Sequence, residues 1–463
     1  MQGRNTLMDH WIFRYLPWAI LLTHAWLALT FAQERILNTD CSYQLFSSVN
    51  DRSFFFQESR YGMLPTQIPV VLGILLQWPM KWLVIIYSVS FPLVYGLIIW
   101  LNQRVLHAPE AALATAATLM LGWGSTFFHC TTETHLLLAA SVLLYGTYQA
   151  FGRDTSSLVH QAVPLMVSLW CLSIHPNALF TVGFVAVLAW LRGLASARTL
   201  LPAVGLVVAY TLAAMLMAEK GSYDADKYQT LLGGLGRIPH ITDLAAVWFL
   251  KEWVGGQYLV PLIMAGVVII FGRSWRVAAF MTVSVLVFVL ITILTFPDGD
   301  SLAMMEKSYL PALFMIVLAF CTALPRMRFR RMAIVLVCVG AIHSVYTIQE
   351  AGLPYSRRLE IMRALIDGPG GHTAKMIIRE TPYKDTPLVL NNWALSMDAM
   401  IMSRCMGPIA RTIFMDDAPD RWLVERGGNF PFLYTSWNPN GMQIENRAYF
   451  NLPDEPYALV GLP

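Results

Sequence analysis

Between Asn38 and Tyr61 the chain reads NTDCSYQLFSSVNDRSFFFQESRY, where Asp40, Asp51, Glu58, Arg52 and Arg60 stand among aromatic side chains. A carboxylate can take a proton from a hydroxyl, and a guanidinium can hold a phosphate through a two-pronged hydrogen bond. A plain connector would carry Gly, Ser and Pro in their place. Further ionisable groups gather at His129, Glu133 and His135, at His175 beside Asn177, and at Asp298, Asp300, Glu306 and Lys307 next to Tyr309. The loop 218–253 adds Glu219, Asp224, Asp226, Lys227, His240, Asp243 and Glu252. For each group a structural role stands beside the chemical one. Asp40 and Glu133 can start helices, Lys307 can snorkel toward headgroups, and the histidines can be satisfied by backbone. The stretch as a whole can be a solvated loop with incidental ion pairs.

The elements that must position these groups are membrane elements. The chain has 463 residues, 56% hydrophobic and 13% charged, with a mean hydropathy of +0.52. Soluble domains carry about 25% charged residues, and several apolar runs here approach the ~20 residues that cross the hydrocarbon. The composition therefore gives an integral, multi-pass membrane protein. A net charge of +3 without a basic run interleaved with aromatics is too small to suggest nucleic acid, and no nucleic-acid partner is expected. Six cysteines without CxxC or other metal spacing give no zinc site and no disulfide framework. A Cys41–Cys405 bridge is left open, and no metal ligand set is indicated. Arg4 and Arg14 precede a long apolar run without a small-residue cleavage site, which reads as a retained span.

Spans are expected at 11–32, 82–101, 111–128, 133–150, 158–173, 177–193, 199–217, 254–272, 277–296, 307–324 and 332–348, about eleven in all. The run 64–79, LPTQIPVVLGILLQWP, is short and proline-rich and reads as an interfacial helix, with Phe54, Phe55 and Phe56 before it dipping toward lipid. Basic residues fall on alternate short loops: Arg104, Arg153, Arg192 with Arg198, Arg273 with Arg276, and the cluster Arg326, Arg328, Arg330 and Arg331. The opposite loops 129–133, 174–177 and 297–306 hold no Lys or Arg. This places the N-terminus in the cytoplasm, and the 33–81 loop and the tail outside it. The expected fold class is mainly α, a polytopic helical bundle over 1–348 followed by a small extracytoplasmic α/β domain over 349–463. In that tail a helix over 357–366 stops at Gly368. Then come a strand candidate PLVLNNW, a helix ALSMDAMIMSRC and a strand ARTIFMDD.

An N-inside bundle with an acid soon after span one (LNTDCSYQLF) and a proline-containing interfacial helix (YGMLPTQIPVVLGILL) resembles the GT-C superfamily of polyprenyl-phosphate-sugar-dependent glycosyltransferases. An acid opening the fourth span (HCTTETHLLLAASVLLYG), a basic start to a late span (EKSYLPALF) and an outer tail extend the likeness. The resemblance covers about 1–348 and is architectural. The paired Asp-Glu of protein mannosyltransferases is absent, since Cys41 follows Asp40, and the Trp-Trp-Asp-Tyr-Gly motif of oligosaccharyltransferases is missing.

The resemblance implies transfer of a sugar from a polyprenyl-phosphate donor to an acceptor glycan, lipid or protein at the extracytoplasmic face. Such transfer needs a base for the acceptor hydroxyl and cations for the departing phosphate. Asp40 and Glu133 are then the candidate catalytic acids. Glu58, Arg60, Tyr61, His129, His175, Lys307 and Tyr309 are the candidate substrate contacts. A divalent metal is neither required nor excluded. Two other classes stay open: a transporter or flippase of lipid-linked intermediates, and a non-catalytic membrane scaffold. Nearly charge-free spans weigh against ion-coupled transport.

Overall fold

The computed structural model describes residues 3–460 except 58–59, 130–132, 154–156, 218–222, 369–372, 391, 427 and 436–441. The chain is mainly helical. It opens with α1 (Gly3–Thr30), α2 (Ala32–Ile36), α3 (Thr39–Asp51), α4 (Leu64–Leu75) and α5 (Met80–Trp100). Then follow α6 (Pro109–Met120), α7 (Glu133–Phe151), α8 (Leu158–Ile174), α9 (Ala178–Leu191), α10 (Ala197–Met217) and α11 (Tyr223–Gly234). The bundle ends with α12 (Ala245–Val254), α13 (Leu259–Phe271), α14 (Trp275–Thr295), α15 (Leu302–Ala323) and α16 (Arg330–Asp367).

Among the described residues, five helices are long and apolar enough to cross a membrane: Trp11–Thr30, Met80–Val105, Trp275–Thr295, Leu302–Arg326 and Arg330–Asp367. The pair α12 and α13 makes a sixth if its 79° bend lies within one span. Of the other expected crossings, Leu158–Ile174 and Ala178–Leu191 are helices of 10–17 residues, short of the ~20 that span unaided. The run 64–79 holds only the 12-residue α4. The central helix is α15, whose apolar window is 89% buried, against 39% for α14 and 33% for α16.

The expected helix over 111–128 stops at Met120. Gly122 takes φ +81, and Gly124 approaches so closely that a β-carbon would lie 2.7 Å from Gln257 Oε1. The segment 121–129 thus runs as a buried turn whose backbone is satisfied by protein groups. Gln257 Nε2 donates to the Gly122 carbonyl at 2.8 Å, and Glu306 accepts from the Gly124 and Thr126 amides.

The tail departs from expectation in two ways. The helix over 357–366 is the end of the 38-residue α16, which carries the chain out of the bundle through Pro354 without a break. The segment PLVLNNW forms 3-10 turns, Pro387–Val389 and Asn392–Ala394, because Pro387 brings a fixed φ and no N–H. The first strand is instead β1 (Lys375–Arg379), followed by α17 (Leu395–Met406), β2 (Thr412–Asp416), α18 (Asp420–Arg426) and β3 (Ala458–Leu459). All pairings are parallel in the order β2-β1-β3, with Lys375 opposite Thr412 and Met376 opposite Ala458.

Two large apolar cores result. One lies within the bundle. The other joins Cys41, Leu45, Phe46 and Val49 of α3, Val70 and Ile74 of α4, and Leu83, Val84 and Tyr87 of α5 to Met376, Met400, Ile413 and Phe450 of the tail. Cys41 and Cys405 both belong to this second core and are not bridged.

Candidate functional site

The first loop enters its helix through strained backbone. Asn38 stands extended before α3 (φ −160), and Thr39 follows at φ +47. A β-branched residue at positive φ is an outlier that costs on the order of 1–3 kcal/mol. The Thr39 hydroxyl is also buried without a hydrogen-bond partner. The neighbouring backbone is held in place by Asn38 Nδ2, which donates to the Phe128 carbonyl at 3.2 Å. Arg358 adds a second tie, donating from Nη1 to the Leu37 carbonyl at 3.0 Å. Asp40 therefore sits in the first turn of α3, a position the helix dipole favours for an anion.

Glu133 opens α7 and is 4% exposed. Its Oε1 lies 3.2 Å from Arg60 Nη1, and its Oε2 lies 3.9 Å from Lys307 Nζ. Arg60 comes from the connection to α4 and Lys307 from the second turn of α15. Both cations are nearly buried, with side chains 11% and 13% exposed. Lys307 does not form the local rim pair its neighbour Glu306 offers in sequence. Glu58 lies outside the described residues, and Glu306 turns the other way, accepting from the Gly124 amide, the Thr126 amide at 3.2 Å and the Thr126 hydroxyl at 2.8 Å.

Asp40 shares this electrostatic neighbourhood. Burial pushes its carboxyl above the usual Asp range, Lys307 and Arg60 act downward, and Glu133 acts upward. The first loop, the start of α7 and the start of α15 thus place Arg60 and Lys307 on Glu133, with Asp40 within their electrostatic reach. Two histidines border the group. Burial drives His129 down to about 3, with Lys307 acting the same way. It holds His175 well below its ordinary value, helped by Arg60 and Lys307. Both shifts favour the neutral imidazole. His129 Nε2 meets the Tyr355 hydroxyl at 3.3 Å, and His175 Nδ1 accepts from the Asn177 amide at 3.0 Å.

Several expected members are placed elsewhere. Tyr61 is 61% exposed and packs on Phe56 at 5.0 Å between ring centroids. Tyr309 points to the opposite side of α15, donating its hydroxyl to the Ala246 carbonyl at 3.0 Å and stacking on Phe249. His135 packs on Trp123 at 4.1 Å within the bundle core. Thr131 and Thr132, residue types suited to capping the helix that Glu133 opens, lie outside the described residues. The three phenylalanines do not share one face. Phe55 meets Tyr43 at 5.1 Å, its backbone held on both sides by Gln67, while Phe54 stacks on Phe56. No group of three or more His, Cys, Asp or Glu able to hold a metal ion occurs among the described residues.

Sequence reasoning missed the tail's share of the site. Tyr355 reaches His129 across 226 positions. Asp398 of α17 pairs with Arg358 at 2.7 Å in a fully buried contact that also fixes Leu37. Ring contacts continue the path outward. Tyr43, one turn beyond Asp40, meets Trp393 at 5.9 Å. Trp393 lines a cleft of about 330 Å³ together with Tyr434, Glu380, Asn392, Asp416 and Asp417. This cleft lies at the carboxyl ends of β1 and β2, where open parallel sheets hold ligands. Only the lone acid Asp398 among the largely apolar residues Leu395 to Met402 hinted at a buried partner.

Comparison with protein-family models, curated proteins and solved structures finds no match for this chain.

Proposed function

We propose that the chain is a GT-C-like integral membrane glycosyltransferase that takes a sugar from a polyprenyl-phosphate donor at the extracytoplasmic face. The shorter helices complete a bundle of about eleven spans, with the N-terminus in the cytoplasm and the tail outside. One observation carries the reading: Glu133 holds Arg60 at 3.2 Å and Lys307 at 3.9 Å, with Asp40 in the same electrostatic neighbourhood. An isolated buried charge is expensive, so a balanced group of this kind at a helix-bundle mouth marks a place where charge is handled.

In the proposed reaction the acceptor hydroxyl gives its proton to Asp40 as its oxygen bonds to the anomeric carbon. The bond from that carbon to the phosphate oxygen breaks, and its electron pair leaves with the phosphate. A carboxyl whose proton affinity is raised by burial is a stronger base near neutral pH than an exposed one. Arg60 offers a fork and Lys307 a point charge to the departing phosphate. Glu133, already engaged with both cations, acts as their positioning residue. The acceptor approaches through the strand-end cleft, where Trp393 and Tyr434 offer flat faces to sugar rings and the acids and Asn392 offer partners to hydroxyls.

The test is donor turnover by the purified chain in lipid nanodiscs, supplied with a panel of polyprenyl-phosphate sugars and read as release of polyprenyl phosphate. Release by the wild type, lowered on the order of a hundredfold or more in Asp40→Asn with an unchanged thermal transition, is the expected result. Equal release by both proteins removes Asp40 as the base, and no release from any donor removes the glycosyltransferase reading.

The 79° break between α12 and α13 favours transport as a second reading, since transporters bind at broken helices. Movement of an intact lipid-linked sugar across proteoliposomes without cleavage would select it.

A further inference from the structure

At the end of the bundle bearing the basic short loops, three arginines from three elements line one cleft of about 140 Å³. Arg192 follows α9, Arg273 precedes α14 and Arg326 follows α15. Apolar atoms of Val268 and Val277 complete its wall, and no carboxylate is among the described lining residues. Glu110, close enough to Arg192 to act on it electrostatically, is not among the lining residues.

The guanidinium of Arg192 is fixed in place. Nη1 donates to the Thr322 carbonyl at 2.6 Å and Nη2 to the Ala319 carbonyl at 3.3 Å, while Nε is buried with no hydrogen-bond partner. Arg273 and Arg326 are exposed at the rim. The 21-residue α14 begins at the cleft, capped by Ser274, whose side chain accepts from the Val277 amide. Its N-terminal amides and dipole add positive potential to that of the three side chains. Simple enrichment of arginine on cytoplasmic loops does not require such convergence. Arg153, for example, turns its Nε to the Gly193 carbonyl and is absent from this cleft.

The surroundings fix the depth. Trp190 (57% exposed) precedes the first arginine, and Trp275 (75% exposed) is the first residue of α14. Phe271 and Phe329 pair edge to face at 5.8 Å beside them. Exposed indoles and phenyl rings at helix ends mark the level where acyl chains give way to headgroups.

We infer that this cleft binds the phosphate of an anionic membrane lipid, with Arg273 and Arg326 closing on the headgroup over a fixed Arg192. A phosphodiester fits guanidinium donors in the plane of their forks. The acyl chains would follow the apolar faces of α13 and α14, where Ile270 and Val283 are exposed. The inference stands apart from the sugar-transfer reading, because its residues belong to no part of the Asp40 group.

The experiment is native mass spectrometry of the full chain in detergent supplied with phosphatidylglycerol or phosphatidylcholine, with inorganic phosphate as competitor. Three proteins are compared: wild type, the double variant Arg273→Gln/Arg326→Gln, and Arg104→Gln, an exposed arginine elsewhere on the basic side. Both altered cleft residues are at the rim, and an unchanged thermal midpoint verifies the fold. Phosphatidylglycerol should remain on the wild type and on Arg104→Gln, and retention should fall about tenfold or more in the double variant. Phosphatidylcholine should be held more weakly by all three. Equal phosphatidylglycerol retention by wild type and double variant overturns the site. Displacement by inorganic phosphate at concentrations matching the lipid would overturn the lipid as source and leave a free-anion site.

Discussion

At Asp40, the base of the proposed reaction, opposing influences act on the carboxyl. Burial raises the carboxyl, while Lys307 and Arg60 hold it down and Glu133 pushes it up. A base must be ionised to act, so turnover should fail as pH drops through the folded value of Asp40. That acid limb should lie above the ~3.9 of an unperturbed Asp. The neighbours then shift it with predictable sign. Removing a cation in Lys307→Met takes away a downward influence and should move the limb to higher pH. Removing a carboxylate in Glu133→Gln takes away an upward one and should move it lower, alongside a loss of turnover from the released cations. Profiles of kcat/KM against pH check both, and displacement of the limb in one direction by both variants would remove Asp40 as the titrating base. The histidines contribute no such limb near neutrality, because burial holds His129 near 3 and His175 well below its usual range.

Among the elements, the turn 121–129 shows why a site can hide from its sequence. Its backbone is held by Glu306, 180 positions beyond Thr126, and through Phe128 and His129 it touches both Asn38 and Tyr355. Glu306→Gln keeps the volume but replaces one acceptor oxygen with a donor. One of the amide or hydroxyl donors at Gly124 and Thr126 is then left buried and unmet, which costs about 1–3 kcal/mol. The expected result is a lower thermal midpoint with slower turnover, and donor KM little changed because Glu306 does not reach Arg60 or Lys307. An unaltered midpoint would show that the turn does not depend on this carboxylate.

The same comparison explains what could be read beforehand. Helix positions follow apolar runs, a local signal, and those of α5, α14 and α15 are visible in the letters alone. The strand ARTIFMDD and helix ALSMDAMIMSRC were legible for the same reason. The stop at Met120 was not, because the partners that make a turn preferable to a helix come from α15 and Gln257. Nor was β1 at 375–379, a run no more strand-like than PLVLNNW until Lys375 is set opposite Thr412. Asp40, Glu133, Arg60 and Lys307 could each be singled out as candidates from position relative to the spans, but not the contacts of Glu133 with Arg60 and Lys307. Tyr61 and Tyr309 were misplaced because neither spacing nor residue type tells which side of a helix or loop faces inward.

For the whole molecule, the tail and the first loop share one apolar core. An α/β domain over 349–463 suggests a core of its own, yet that core is completed by α3, α4 and α5. Phe46 of α3 stacks on Phe450 at 4.8 Å and lies 5.4 Å from Phe432. Asn50 accepts from the Glu445 amide at 2.9 Å, Asn446 Nδ2 donates to the Val49 carbonyl at 2.7 Å, and the Tyr449 hydroxyl reaches the Trp78 carbonyl. The buried Arg358–Asp398 pair locks α16 to α17 and, through Leu37, to the entry of α3. Removing one member of such a pair leaves the other charge uncompensated, at about 3–5 kcal/mol. Asp398→Ala should therefore lower the thermal midpoint and, because Leu37 lies three residues before Asp40, lower turnover as well. A sharper consequence concerns the fragment 372–463 made alone. Without residues 41–49 and 70–87 it keeps its small sheet but exposes the apolar side of α17, where Met397, Met400 and Ile401 are fully buried in the intact chain. It should bind hydrophobic dyes and melt without a cooperative transition. Adding a peptide covering 37–52 should restore part of the cooperativity. A sharp, dye-silent transition in the fragment alone would mean that the tail is an independent domain and that its contacts with the first loop are incidental to its fold.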